Sequence, residues 1–531
     1  MVEVFLKKNE GYKWFSNETI SIKGSFFDNE NNYYEKENLI SFFTNIDNEN
    51  KFLKRIKEIN GIFSVIIKLK NKTLIASDTT RIFPLFYTFK HSYLYISDDI
   101  TLLKEKFNIT EIDESLSNEF LASGYTLGNK TLLKNVYQTQ SNGYLVFHKN
   151  KIKQGFFYSY TTNRYLESSY SILKNKAINV IDNTFERFVK SLNNQTVVLP
   201  LSGGFDSRLI AVMLKKFNYM NVICFTYGKS TSFEIENSKK TAEILNYKWI
   251  FVNYSNDIVK NYINTQIFKN YAIYAGKFSS MPFLQEYFAV KYLKEKKLIP
   301  KDSIFSPGLL IDFLSGSQLI KVLPKDLKIS KVSKLILKKR FIYSNLPNKS
   351  KKEILKNVEG LLYNYDPCFK TKFPHSVFEN YELKEKVSKF IFNSSNVYSF
   401  FDYEYRFPFS DKELISFFRD VPLKYKLNKL LYKEILKSHY FKNYNLNFTN
   451  ELQPSLTKIY IQNIKNYIKP FLPYFLTKLF LKKNDWLNYN LITKEIKSSL
   501  LINNLKFNSK VKSYNELIIQ WYIYFSKGLI K

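Results

Sequence analysis

The chain has 531 residues, 45% of them hydrophobic and 17% aromatic, with 80 Lys and Arg against 47 Asp and Glu and a formal charge of +33. At roughly 100–200 residues per domain this is enough for two to four domains, and the apolar content excludes a chain left disordered for want of a core. Only eight of the basic residues are Arg (55, 81, 164, 187, 208, 340, 406 and 419). Phosphate-reading proteins favour the bidentate Arg fork, so the Lys excess reads as AT-rich coding on a solvated surface and no specific nucleic-acid partner is expected.

The first residues, MVEVFLKKNEGYKWF, hold no apolar run of signal-peptide length, and no segment reaches the roughly 18 uninterrupted apolar residues of a spanning helix. A cytoplasmic location is the expectation. Cys224 and Cys368 lie in no CxxC and the four histidines are not clustered, which argues against a disulfide framework or a zinc site. Residues 61–69 (GIFSVIIKL) and 72–78 (KTLIASD) are β-rich runs joined at Lys70 and Asn71 in the manner of a hairpin. A third run, 91–99 (HSYLYISDD), follows a turn near Pro84. Together they predict an antiparallel β-rich first domain that closes near 142–147 (NGYLVF), ahead of the polar stretch 159–164.

Beyond that point strands and helices alternate: 197–202 (VVLPLS), a helix over about 206–216, 221–228 (NVICFTYG), a helix over about 234–245, and 248–253 (KWIFVN). Such alternation predicts a parallel sheet with covering helices. From about Ser255 onward the periodicity is mostly helical, and the Asn- and Lys-rich stretches 346–357 and 503–512 read as exposed loops. Residues 467–483 (YIKPFLPYFLTKLFLKK) mix aromatics, Leu and Lys as an interfacial helix does. Pro470 and Pro473 break that stripe and favour packing against the core over contact with a membrane surface.

The most informative stretch is 199–210, LPLSGGFDSRLI. A buried strand ends at Leu201 and Ser202, two glycines follow, and a helix begins near Asp206 and Ser207. Gly203 and Gly204 permit torsions and close approaches that a side chain forbids. Successive amide N–H groups, with those of the helix N-terminus, can then point at one anion. Ser202 and Ser207 supply hydroxyl donors, and Asp206 can hold a Mg²⁺ that bridges phosphates. A plain strand-to-helix turn capped by Asp or Ser is the simpler reading of two glycines; the full hexad in its strand–turn–helix setting points to nucleotide binding.

SGGFDS resembles the SGGxDS loop of the N-type ATP pyrophosphatases, which cleave ATP between its α and β phosphates. Within that superfamily the chain is similar to the asparagine synthetase group, which includes β-lactam synthetases and lasso-peptide cyclases. The first-domain runs, then 119–137 (EFLASGYTLGNKTLLKNVY), are similar to a class II glutamine amidotransferase domain and the segment leading out of it. Residues 305–317 (FSPGLLIDFLSGS) resemble the loop SGEGSDExxxG, 404–414 (EYRFPFSDKEL) resemble ExRxPFLDxxL, and 429–436 (KLLYKEIL) resemble the Lys-bearing helix that follows.

The resemblance implies an α/β plus α+β architecture. Residues 1–160 form an antiparallel αββα domain of the N-terminal-nucleophile type, and 170–531 form a parallel-sheet PP-loop domain, its core at about 195–320, with a large helical extension. It further implies ATP and Mg²⁺ as cofactors and an AMP- and pyrophosphate-forming amide ligase. Leu201, Ser202, Gly203, Gly204, Asp206, Ser207, Thr226 and Gly308 fall on the nucleotide-binding positions, Asp206 and Asp312 on the metal-ligand positions, and Lys433 and Glu404 on the catalytic ones.

Two departures bear on function. Glutamine-using relatives carry Cys after the initiator Met, and this chain has Val2, so no glutaminase activity is expected and the nitrogen comes from ammonia, a partner protein or a substrate amine. The second loop carries Leu309 and Leu310 where the relatives have an acidic residue and a glycine. Its pocket should be less polar than one built for free aspartate, and Leu310 should not reach the torsions of the glycine it replaces. The carboxylate substrate stays open among a sugar acid, a peptide side chain and a small amino acid. The alternative to a ligase is a pseudoenzyme or regulatory protein that keeps the synthetase fold.

Overall fold

The computed structural model describes residues 2–7, 11–319, 328–366, 373–448, 485–508 and 513–530. Cys368 and the segment 467–483 lie outside them. The first 156 residues build β1 (Val2–Phe5), β2 (Phe15–Ser16), β3 (Ile20–Phe27), β4 (Tyr33–Glu35), β5 (Asn60–Lys68), β6 (Lys72–Ser77), β7 (Phe86–Lys90), β8 (Tyr93–Ser97), β9 (Tyr137–Gln138), β10 (Gly143–His148) and β11 (Lys151–Phe156). One sheet runs β11-β10-β6-β5-β3-β2, with β4 on β3, and every pair in it is antiparallel. The other runs β1-β8-β7-β9, where β1 pairs parallel to β8, an exception to the antiparallel expectation. β11 was not legible as a strand: Lys151 to Gln154 are exposed, as suits a polar edge.

The layers follow from alternation. Ile66, Ile75, Leu145 and Phe147 point from one sheet to Leu85, Tyr87, Leu94 and Ile96 of the other. The opposite face of the first sheet, with Ile22, Phe63, Val65 and Leu74, packs on Phe42, Phe52 and Ile56 of the helices Asn38–Phe42 and Glu49–Glu58. The helix Ile100–Lys106 covers the second sheet through Ile100 and Leu103. The two sheets thus face each other, with helices on their outer faces.

The helix Tyr170–Lys190 opens the second unit. β12 (Val197–Pro200), β13 (Val222–Gly228), β14 (Lys248–Asn253), β15 (Ile304–Phe305) and β16 (Glu404–Tyr405) form one parallel sheet in the order β14-β13-β12-β15-β16. Val197, Val198 and Leu199 are all fully buried, the unbroken apolar run of a central strand covered on both faces. The helices Phe205–Lys216 and Phe233–Leu245 are the connections predicted.

One expectation fails here. Residues 346–357 do not form a loop: Asn348–Tyr365 is a helix. Ile354, Val358, Leu362 and Tyr365 are its buried stripe at spacings of four, four and three, and the Lys and Asn residues between them cover the solvated faces. The two units join along paired backbone, with Leu132 N–H donating to the Phe278 carbonyl (2.7 Å) and Met281 N–H to that of Gly124 (2.9 Å). The helix Pro374–Glu382 continues into π-helical turns over Leu383–Ile391 that end against this junction.

Candidate active site

The cradle sits where β12 gives way to the helix Phe205–Lys216. Gly204 is the residue before that helix, with φ −81° and ψ 172°, and no side chain caps the first turn. Those N–H groups are left for a ligand. The glycines act through space here and not through torsion, since neither Gly203 nor Gly204 has a positive φ. A Cβ on Gly203 would come within 2.8 Å of Glu234 Cα, and one on Gly308 within 3.0 Å of the Ser207 nitrogen. The second loop, after β15, is thus pressed against the N-terminus of the cradle helix.

Side chains hold the loop in shape. Ser207 Oγ accepts from Ser202 N–H and pairs with Ser202 Oγ, both at 3.1 Å, and Gly204 N–H donates to Ser202 Oγ at 3.2 Å. Thr226 Oγ1 donates to the Leu201 carbonyl at 2.7 Å and also pairs with Ser238 Oγ. Arg208, fully buried, donates to the Gly203 carbonyl at 2.7 Å and to that of Leu446 at 3.0 Å. Thr226 lines the cavity, but its hydroxyl is spent on the loop.

Asp206, in the first turn, accepts from Tyr432 Oη at 3.0 Å. Burial pushes its carboxyl up to about 6, against the pull of Lys429 and with the repulsion of Asp312. Asp312 is half exposed and ion-paired with Lys429. Lys433 lies within charge range of the same pair: burial lowers its pKa first, then the charges of Lys429 and Lys437, with Asp312 opposing. The predicted residues Asp206, Asp312 and Lys433 therefore converge, joined by Lys429 and Tyr432, which sequence reasoning passed over although both stand in the quoted block KLLYKEIL.

Two carboxylates beside free backbone N–H groups form a hard oxygen donor set of the kind Mg²⁺ takes together with phosphate oxygens. The Lys429 ammonium on Asp312 marks the same spot as one that demands positive charge.

Two expectations need correction. Leu310 does adopt a glycine-like conformation, φ 84° and ψ −44°, with its side chain 3% exposed; the apolar contacts of that side chain hold it there. Glu404 is not brought to the cradle by any contact among the described residues. It pairs across the sheet with Ile304, which pairs with Val197, four residues before Leu201. Its carboxylate accepts from Arg406 at 3.0 Å, and Arg406 also bonds Tyr12 and Glu35 of the first unit.

One cavity is lined by Leu201, Ser202, Gly204, Asp206, Ser207, Thr226, Gly308 and Leu309 together with Tyr227, Glu286 and Trp486. The last three carried no signal in the sequence.

Residues 195–277 match a family model described as a family of unknown function (DUF7411). Over 166 residues the chain is 28% identical to the microcin J25-processing protein McjC of Escherichia coli, a match spanning 30% of each protein. Among solved structures, it is similar to an NH3-dependent NAD synthetase from Campylobacter jejuni, at 17% identity over 37% of this chain and 96% of that one (TM-score 0.19). It is also similar to the NMN synthetase of Francisella tularensis, at 12% identity over 41% and 92% (TM-score 0.20). In sequence the chain is thus similar to McjC over less than a third of either protein.

Proposed function

We propose that the protein is an ATP-dependent ligase that adenylates a carboxylate, releases pyrophosphate and passes the acyl group to ammonia or an amine with loss of AMP. The observation that carries this reading is a cavity lined by an uncapped helix N-terminus and Asp206, with the Asp312–Lys429 ion pair in charge range of Asp206 and Lys433 in charge range of Asp312. The similarity to McjC supports the same class of chemistry.

Each residue has a place in that reaction. The Ser202 and Ser207 hydroxyls and the N–H groups of the uncapped helix turn that starts at Phe205 hold the departing pyrophosphate, where charge gathers as the α–β bond breaks. Mg²⁺ held by Asp206 and Asp312 would neutralise phosphate charge. Lys433, half-buried and crowded by Lys429 and Lys437, is drawn toward any anion in the cavity and stabilises the α-phosphate and the tetrahedral adduct. Arg208 and Thr226 fix the loop in advance of binding.

Glutamine hydrolysis is no part of this proposal. Val2 is an ordinary strand residue paired with Leu94. Cys224 is buried in β13, where burial drives the thiol pKa up and leaves it inert. Release of glutamate from glutamine by the purified protein would overturn that part.

The decisive measurement is ATP–pyrophosphate exchange against a panel of sugar acids, peptides and amino acids, with Asp206→Ala and Lys433→Ala as controls. Exchange that survives both substitutions refutes the site. Tight ATP binding without exchange for any acid favours the pseudoenzyme, for which the Lys429 ammonium on Asp312 is the structural argument.

A further inference from the structure

Glu286 lines the cradle cavity, and nothing in phosphate binding accounts for it. It stands at the start of the helix Tyr287–Glu295, but its side chain does not cap that helix. The carboxylate instead accepts from Tyr398 Oη at 2.5 Å and Tyr227 Oη at 3.3 Å. Both tyrosines are buried, and Tyr398 is stacked on Phe305 of β15. Among the described residues no Lys, Arg or His forms an ion pair with Glu286. Two neutral donors satisfy one side of each oxygen and leave the remaining lone pairs to the cavity.

The cavity is therefore bipolar. Its cradle end offers N–H groups and Asp206, which the charge of Lys429 reaches, and its other end offers a carboxylate with no cationic partner among the described residues. An unpaired buried carboxylate costs free energy unless a donor reaches it, and burial raises the Glu286 carboxyl to about 7. Glu404, the glutamate that the resemblance places in this role, pairs with Arg406 and does not line this cavity.

We propose that the Glu286 end of the cavity binds the amine nucleophile, a primary amine on a small molecule or peptide, and that the Glu286 carboxylate takes its proton. This rests on the ligase reading above. As the amine nitrogen forms its bond to the acyl carbon, the bond from that carbon to the phosphate oxygen breaks and AMP leaves with the electron pair. The proton shed by the nitrogen passes to Glu286, which returns it to water. Tyr398 is a positioning residue, holding the carboxylate toward the cavity.

The test uses the full chain and separates the half-reactions. Glu286→Gln keeps the shape of the side chain and removes the base. Exchange of pyrophosphate into ATP should stay within about twofold, and AMP release with a primary amine should fall by about 10²-fold. Hydroxylamine, already unprotonated at neutral pH, should restore trapping of the acyl group. Wild-type amide formation should rise with pH through about 7, and this inflection should vanish in the variant. The titratable groups facing Glu286 are Tyr227, Tyr254, Tyr271, Tyr398 and Tyr489, with Asp206 and Glu234 elsewhere on the cavity wall. The tyrosine pKa values are all raised by burial, so none titrates in that range. Tyr398→Phe should give a smaller loss, about tenfold, in the same direction.

An equal fall of exchange and amide formation in Glu286→Gln, or weakened ATP binding, would assign Glu286 to the nucleotide and overturn the proposal. Absence of exchange in the wild type would count against the ligase reading. The amine site would then be decided by butylamine binding followed by NMR: loss of binding in Glu286→Gln, with an unchanged melting temperature, supports the site, and equal binding in both proteins refutes it.

Discussion

The cradle and the junction around Lys389 and Glu385 both bury charge, and they do so in opposite ways. At the junction Lys389 and Glu385 form an ion pair at 2.7 Å with both side chains fully buried. Every charge there is answered. Glu385 accepts from Gly128 N–H at 3.1 Å and from Tyr365, and Lys389 donates to the carbonyls of Thr126 (3.0 Å) and Gly128 (2.5 Å). In the cradle, Asp206 has one tyrosine donor and Glu286 two, and both line open space. A saturated network fixes segments distant in the chain in register. An unsaturated one keeps its affinity for something that is not protein. Perturbed charge marks a functional site only in the second setting.

That contrast can be broken by experiment. Lys389→Met leaves Glu385 buried without its cation and should cost about 3–5 kcal/mol in denaturant unfolding, while exchange activity per folded molecule stays unchanged; a large activity loss at normal stability would merge the two classes. Lys433→Ala should do the reverse, lowering exchange by about 10²–10³-fold, roughly 2.7–4 kcal/mol of transition-state stabilisation, with unfolding unaltered.

Asp206→Asn should both inactivate and stabilise. The Asp206 carboxyl has its pKa raised from 3.8 to about 6 in the folded state, so between those values the native protein holds a proton that the unfolded chain has released. Stability contributed by this group therefore falls as pH rises from about 4 to 6. Above pH 6 the Asn variant should be more stable by about 1–3 kcal/mol, read as a higher melting temperature at pH 8 than at pH 4 relative to wild type. The smallest effect concerns the second loop. Leu310→Gly should exceed Leu310→Ala in stability by about 1 kcal/mol, because only Gly relieves the positive φ, whose strain is on the order of 1–3 kcal/mol.

Much of the fold was legible. The run 248–253 is a strand to the residue, and the helix predicted from Asp206 starts at Phe205. Parallel strands buried on both faces leave a continuous apolar signature, and Gly-Gly followed by Asp and Ser marks the turn between them. The helix Asn348–Tyr365 was missed because its polar composition outweighed a four-residue stripe, and β11 because an exposed edge strand has no apolar alternation to show.

The site divides along the same line. The hexad, Asp312 and Lys433 were readable because chemistry at one loop and one helix confines residue types to short windows. Sequence by itself thus determined the parallel sheet and the glycine turn that leads from β12 into the helix Phe205–Lys216. The tertiary structure alone decided that Glu404 turns to Arg406, that Lys429 reaches Asp312, that Leu310 holds a torsion expected of glycine, and that Glu286 opens into the cavity. Such choices depend on strand register and on which partner lies across a gap, and both are set by packing between segments distant in the chain.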